Sequence, residues 1–423
     1  MKKKFLIIFI FLLVYSSSLY ADNILVFMDE KQTDHLKAYG LVYYALKNNN
    51  TGGKIFWLLN YRGGSFLLPE SDNLAKKSKM FGVAYSVLND REMNQIELSF
   101  QQENMEKIEL EKAPKIAVYA PPTNNPWDDA VTLALTYAEV QFDKLWDDKI
   151  LKGSLSEYDW LHLHHEDFTG QYDKFFSSFG AAPWYINRVA EYTKFARSLG
   201  FSNVREEKLE VAKTIRKYVS DGGFLFAMCS APEALDISLA LEKIDFIAPE
   251  IDGTPADPDF MKKIDYGKCL MFENFIVYSD PYFNPKSDID YNFVNTAARR
   301  EDQPFELFEF SAKFDQVPTM LTQNHNKIIK GFLGITTAFT KNRLKKECLV
   351  LGNSLGGANS VKYIHRSYGK GTITYLGGHD PEDYAHKVGA EHTNLNLHKN
   401  SEGYRLILNN ILFPAAKKKK LKT

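Results

Sequence analysis

The stretch Gly222-Gly223-Phe224-Leu225-Phe226-Ala227-Met228-Cys229-Ser230-Ala231-Pro232-Glu233-Ala234-Leu235 constrains the fold more than any other. Phe224 to Met228 is a short continuous apolar run, the pattern of a strand buried on both faces. Pro232 suits the first turn of a helix, where its missing N–H has no partner to lose. Glu233 favours the positive end of the same helix. Cys229 is therefore expected on a sharp strand-to-helix turn. A side chain there is pushed above the sheet edge, and the N–H of Ser230 can face an oxyanion. A helix N-terminus also favours the thiolate. The other reading is a buried structural cysteine, because free Cys is among the most buried residue types.

The surrounding order repeats strand then helix. Strands are predicted at Lys115–Tyr119, Tyr158–Leu163, Phe224–Met228, Leu349–Gly352 and Thr372–Leu376. Helices are predicted over Asp128–Val140, Pro183–Leu199, Glu206–Val219 and Gly403–Leu412. This alternation predicts an α/β fold built on a doubly wound parallel sheet. Residues 22–112 open with a strand, a helix capped by Asp34 and a second strand at Lys54–Asn60, which read as a parallel β-α-β segment. The core is expected over 113–241 and 348–413. Residues 242–347, rich in Pro and aromatic residues, read as an insertion or lid between the two parts. Residues 414–423 read as a solvated basic tail.

Lys2, Lys3 and Lys4 precede an apolar run from Phe5 to Val14 and a small-residue stretch ending at Ala21. That is the pattern of an export signal over residues 1–21, and it predicts a periplasmic protein with no transmembrane anchor in the mature chain. The net charge of -1 argues against a nucleic-acid partner. Export permits disulfides. Cys269 and Cys348 can pair and leave Cys229 free, or all three cysteines can remain thiols.

A second anchor is Thr374-Tyr375-Leu376-Gly377-Gly378-His379-Asp380-Pro381-Glu382-Asp383. A strand ending in Gly-Gly-His puts His379 at the same sheet edge as Cys229 if the strands are parallel. A nucleophilic thiol needs a base and a group to orient that base. Cys229, His379 and one of Glu382 or Asp380 meet this need, with Ser230 N–H as part of an oxyanion hole. Gly377 and Gly378 would lie beside a bound substrate.

On the Cys229 turn, the Asp221-Gly222-Gly223 strand start and the Gly-Gly-His379 strand end, the chain resembles the class I glutamine amidotransferase-like superfamily. The resemblance spans about 114–241 and 349–412. It implies a flavodoxin-like fold and a cysteine nucleophile for amide hydrolysis, with no metal. Ala227 and Ala231 stand where that pattern has Gly, and Pro381 stands where its His-x-Glu has Glu. The whole chain also resembles exported bacterial proteins labelled asparagine synthetase B. Its Ser354-Leu355-Gly356-Gly357-Ala358-Asn359-Ser360 lacks the Asp of a pyrophosphatase loop, so the residues do not carry synthetase chemistry.

His162-Leu163-His164-His165-Glu166-Asp167 forms a competing site. On a strand His162 and His164 point the same way. With Glu166 they can hold a divalent metal, and His386, His392 and His398 add further donors. Alternatively His164, His165 and Glu166 line a substrate site at the Cys229 edge. The functions left open are a cysteine-nucleophile amide hydrolase without cofactor, a non-catalytic module for a small-molecule, peptide or glycan ligand, and a metal-dependent hydrolase. The aromatics of the insertion, among them Tyr278, Tyr282 and Phe283, suit the second.

Overall fold

The computed structural model describes residues 23–49, 52–122, 129–294, 303–315, 317–323, 326–383 and 391–417. The export-signal segment, His386 and the last six residues lie outside them.

Two sheets organise the chain. The first contains β1 (Asn23–Val26), β2 (Ile55–Leu59), β3 (Phe66–Pro69), β4 (Tyr85–Leu88) and β5 (Glu106–Leu110) in the order β4-β1-β3-β2-β5. Every pairing is antiparallel. β1 and β2, each antiparallel to β3, run parallel to one another, but the expected direct pairing of the β-α-β segment is corrected. Helix α1 (His35–Lys47), capped by Asp34 at Lys37 N–H, does link β1 to β2. β3, however, lies between them. The chain reverses directly after β2 through Arg62, Gly63 and Gly64, all at positive φ. A Cβ on Gly63 would lie 2.4 Å from the Met28 carbonyl oxygen, so the glycine permits this reversal. The first four strands have the split β-α-β order, with β5 added beside β2.

Alternation along these strands divides their side chains between two layers. Ile24, Val26, Trp57, Phe66 and Leu68 pack with α1, while Leu25, Leu58, Leu67 and Leu88 meet Ile96 of α3 (Asp90–Gln102). Helix α2 (Asp72–Phe81) packs beside α1.

The second sheet is mixed. It contains β6 (Ile116–Tyr119), β7 (Asp143–Leu145), β8 (Trp160–Leu163), β9 (Phe224–Met228), β10 (Phe305–Leu307), β11 (Ile328–Ile329), β12 (Phe339–Thr340), β13 (Leu349–Ser354), β14 (Ser360–Tyr368) and β15 (Gly371–Leu376). Its order is β11-β10-β13-β14-β15-β9-β8-β6-β7, with β12 paired to β14. The run from β15 to β7 is parallel. From β14 to β11 all pairings are antiparallel. A flavodoxin-like doubly wound parallel sheet with a separate inserted region is thus contradicted. Two local causes account for it. Gly369-Lys370 turns β14 back into β15 as a hairpin, and residues 305–340 contribute strands to the sheet. The 354–360 loop, compared above with a pyrophosphatase loop, is the connection between β13 and β14.

Helices cover both faces of the parallel strands: α4 (Ala130–Tyr137), α5 (Pro183–Ser198), α6 (Val204–Asp221), α7 (Ala231–Ala240) and α8 (Glu402–Leu412). In β9, Phe226 and Met228 join the core with α4, α8 and α1, whereas Leu225 and Ala227 pack with α6 and α7. Burying each such large side chain is worth about 1.5–3 kcal/mol. Buried Arg405 of α8 donates to Met28 O at 3.0 Å and ties the two sheets together. Among the described residues no helix is long and apolar enough to cross a membrane.

Candidate functional site

Strand register brings the site together. Leu163, Ala227 and Tyr375 are level across β8, β9 and β15. The residues that follow them, His164, Cys229 and Gly377 to His379, therefore share one carboxyl edge. Backbone bonds lock that edge. Cys229 N–H donates to Gly378 O at 3.0 Å, and Ala231 N–H donates to His164 O at 3.1 Å.

Cys229 has φ 54°, a left-handed conformation uncommon for a residue with a side chain. It occupies the turn from β9 into α7, as the apolar run and Pro232 predict. Its thiol is buried, which pushes its pKa up. The N–H groups of Ile335, Thr336 and Ser230, together with the Lys286 ammonium, act in the opposite direction. Ser230 is wholly buried and its N–H faces the sulfur of the preceding residue.

Residues 332–337 cover this edge. His379 N–H donates to Leu333 O at 2.6 Å, and Gly378 N–H donates to Thr336 O at 2.8 Å. A Cβ on Gly334 would lie 2.9 Å from His379 Cβ and 3.4 Å from Cys229 Sγ, so this glycine wedges between the two side chains. A Cβ on Gly377 would lie 2.6 Å from Thr337 O, and one on Gly378 would lie 2.4 Å from Phe332 Cβ. The glycine pair, expected beside a substrate, here admits the covering segment.

The carboxylates expected to orient His379 also bond elsewhere, while the His379 charge still acts on Asp380. Asp380 accepts from Tyr404 OH at 2.6 Å, Thr393 Oγ1 at 2.9 Å and Glu382 N–H at 2.7 Å. Glu382 forms an ion pair with His398 at 3.3 Å. The sequence reading missed Asp129. This N-cap of α4 accepts from Val131 N–H at 2.7 Å, and its Oδ1 lies 3.4 Å from His162 Nε2 and 3.6 Å from His164 Nδ1. Burial opposes the Asp129 charge, but the two imidazoles hold its carboxyl well below the usual range. The available signal was Asp128-Asp129 before an apolar run, which marks a helix cap but says nothing of a histidine beyond it.

The histidines after β8 meet His379 in the interior. The rings of His164 and His379 stack with centroids 4.1 Å apart, and His164 and His165 lie 4.3 Å apart. The candidate metal trio of His162, His164 and Glu166 is not the one that the geometry groups. His164, His165 and His379 offer ring nitrogens within 4.8 Å of one another, and so do Asp129, His162 and His164 as a second trio. A buried histidine cluster that can hold a metal ion is thus present. His162 Nδ1 lies 3.2 Å from Phe226 O. Glu166 Oε2 accepts from His164 N–H at 3.1 Å, and burial with the nearby Asp129 charge pushes its carboxyl to about 8. Burial, together with His164 and His379, drives His165 well below its ordinary value, so it is a neutral imidazole.

A buried charge network backs this edge. Tyr172, Asp173 and Lys174 have φ of 51°, 60° and 57°. Three such residues in succession concentrate backbone strain. Lys174 Nζ donates to Tyr278 O at 2.9 Å and Asp280 O at 2.7 Å. Burial, with the Lys286 charge, lowers Lys174 to about 8, and burial raises Asp173 to about 6 against the pull of Lys286. Glu233 accepts from Ser287 Oγ at 2.7 Å and Thr336 Oγ1 at 3.3 Å. Of the insertion's aromatics, Phe272 and Phe275 are core, while Tyr282 and Phe283 are exposed. All three cysteines are free thiols.

No family model matches the chain, and no curated protein matches it. Among solved structures, the cytoplasmic protein STM3548 from Salmonella typhimurium is similar over 72% of this chain and 100% of its own, at 10% identity and a TM-score of 0.36. The cytoplasmic protein STM1381 from Salmonella typhimurium LT2 is similar over 72% and 100%, at 11% identity and 0.35. A beta-galactosidase from Bacillus circulans sp. alkalophilus is similar over 63% of this chain and 29% of its own, at 10% identity and 0.26. Likeness at this level assigns no function.

Proposed function

We propose that the chain is an exported amide hydrolase whose nucleophile is Cys229, the activity implied by its glutamine amidotransferase-like resemblance. One observation carries this reading: Cys229 is held in a left-handed turn at the start of α7, with the N–H groups of Ser230, Ile335 and Thr336 at its sulfur. Burial keeps the resting group a neutral thiol. Displacement of residues 332–337 exposes it. An imidazole of the His379–His164 pair then takes the S–H proton, and sulfur attacks the amide carbonyl. The C–N bond breaks, the amine leaves with the imidazolium proton, and water hydrolyses the thioester. Asp129 takes the orienting role expected of Asp380 or Glu382, acting through His164. Export rests on Lys2–Lys4 and the apolar run behind them.

A second reading is a non-catalytic module for a small-molecule, peptide or glycan ligand. The raised thiol pKa and the bonds of Asp380 to Tyr404 and of Glu382 to His398 favour it. Alkylation with iodoacetamide at pH 7.5, followed by peptide mapping, separates the two. The hydrolase predicts selective labelling of Cys229 that falls at least about 100-fold in His379→Ala, the usual range for loss of a general base. Cys348 is the internal control. It is more exposed, yet burial pushes its thiol to about 12, so it should react at least about 100-fold more slowly than a free thiol. Cys229 labelling no faster than Cys348, or indifferent to His379→Ala, decides for the binding module.

A further inference from the structure

We propose that His164, His165 and His379 form a three-imidazole site for a zinc-class divalent transition metal. Three observations support it. The ring nitrogens lie within 4.8 Å of one another, and all three side chains are buried. Ligand nitrogens around one tetrahedral ion at about 2.0–2.1 Å lie about 3.4 Å apart, so the rings need to close by about 1 Å or less per ligand. The ligands come from two strand ends whose register is fixed. His164 follows β8 and His379 follows β15, on either side of β9. Backbone bonds to Ala231 and Leu333 hold both residues in place.

The third observation is the environment of His164. Its Nδ1 lies 3.6 Å from Asp129 Oδ1, which directs Nε2 away from that carboxylate. A ligand imidazole whose other nitrogen faces a carboxylate is the usual outer-shell arrangement of zinc sites. Asp129 is thereby a positioning residue. His162 shares that carboxylate and also faces Phe226 O, so it braces Asp129. Three nitrogen donors favour zinc, cobalt, nickel or copper over magnesium or calcium, which select oxygen. Three protein ligands leave a fourth position for water or substrate. The site does not depend on the thiol reading. An ion on His379, however, removes that imidazole as a base, so metal binding and His379-dependent thiol labelling should exclude each other.

The test uses the mature chain purified without a histidine tag and stripped with a chelator. Zinc titration by calorimetry should give one ion per chain. His165→Ala and His379→Ala should each weaken binding by more than about 100-fold, and Asp129→Asn by about 10–100-fold. His398→Ala should leave affinity unchanged. X-ray absorption on the wild-type zinc protein should show three imidazoles at about 2.0–2.1 Å, a readout that holds even if a variant misfolds. Absence of saturable one-to-one binding, unchanged affinity in either His165→Ala or His379→Ala, or fewer than three imidazoles in the absorption spectrum overturns the proposal.

Discussion

The first sheet and the carboxyl edge of the second sheet bury opposite kinds of group. In the first sheet Trp57, Phe66, Leu58 and Leu67 fill the two layers, and polar groups are confined to margins where they are bonded. Gln32 donates to Phe27 O and Ala84 O there, and Asp34 caps α1. Its ion pairs, such as Lys54–Glu109, are at the surface. The edge around Cys229 instead buries His164, His165, Glu166, Asp173, Lys174, Glu233, Lys286 and His379. Burying charge is expensive unless it is paired, and hydrophobic residues would pack the same space more stably. Left-handed backbone at residues with side chains occurs in both regions, at Asn60 and Arg62 after β2 and at Cys229 and Tyr172 to Lys174 here. The first sheet is therefore built to stabilise, whereas the second edge gives up stability to keep titratable groups together in the interior.

The largest effect should come from the first sheet. Trp57 is wholly buried and its Nε1–H donates to Gly64 O at 3.0 Å. Trp57→Ala should lower the unfolding free energy by about 3–5 kcal/mol, as read by urea titration. Surviving folded protein should keep its Cys229 labelling pattern. A loss below about 1 kcal/mol would mean that the first sheet is not the stabilising half of the molecule.

An intermediate effect is expected at Gly334, where φ is +145°. A Cβ there meets His379 Cβ at 2.9 Å, and Gly334→Ala should push residues 332–337 away from the thiol. A local opening easier by about 1.4 kcal/mol speeds Cys229 alkylation about tenfold. Hydrogen exchange should rise at Leu333 to Thr337 while β1 to β5 stay protected. Faster exchange in both regions would mean that the edge and the first sheet open as one unit.

These differences also explain what is legible in the sequence. Phe224 to Met228 and the Cys229 turn could be read because a strand buried on both faces leaves a continuous apolar run, and Pro232 marks the next helix. His379 could be read from its Gly-Gly approach. β3 could not, because four residues after a turn carry almost no period. β14 was missed as a separate strand, so the antiparallel half of the sheet was missed with it. Asp129, Lys286 and Thr336 reach the site from helix caps and loops far along the chain. Their meeting is a property of tertiary register, to which local pattern is blind. The carboxylates next to His379 in sequence are the ones local pattern offers, whereas Asp129, 250 residues earlier, lies beside His164, whose ring stacks on that of His379.

The smallest effect tests whether a partly solvated charge cluster behaves differently from the buried one. Glu242, just beyond α7, accepts from Lys213 Nζ and Lys268 Nζ, each at 2.6 Å. These two bonds pull its carboxyl down to about 2. A folded-state pKa below the unfolded one gives stability that is fully present above about pH 4.5 and is lost as pH falls through about 2. The Glu242 side chain is half-buried, but Lys213 and Lys268 reach solvent, so screening limits the contribution to at most about 1 kcal/mol. Glu242→Gln should cost that much at pH 7 and progressively less as pH falls through about 2, and about 1 M salt should shrink the difference. A cost that persists in high salt would place this cluster with the buried charges of the Cys229 edge rather than with the surface pairs of the first sheet.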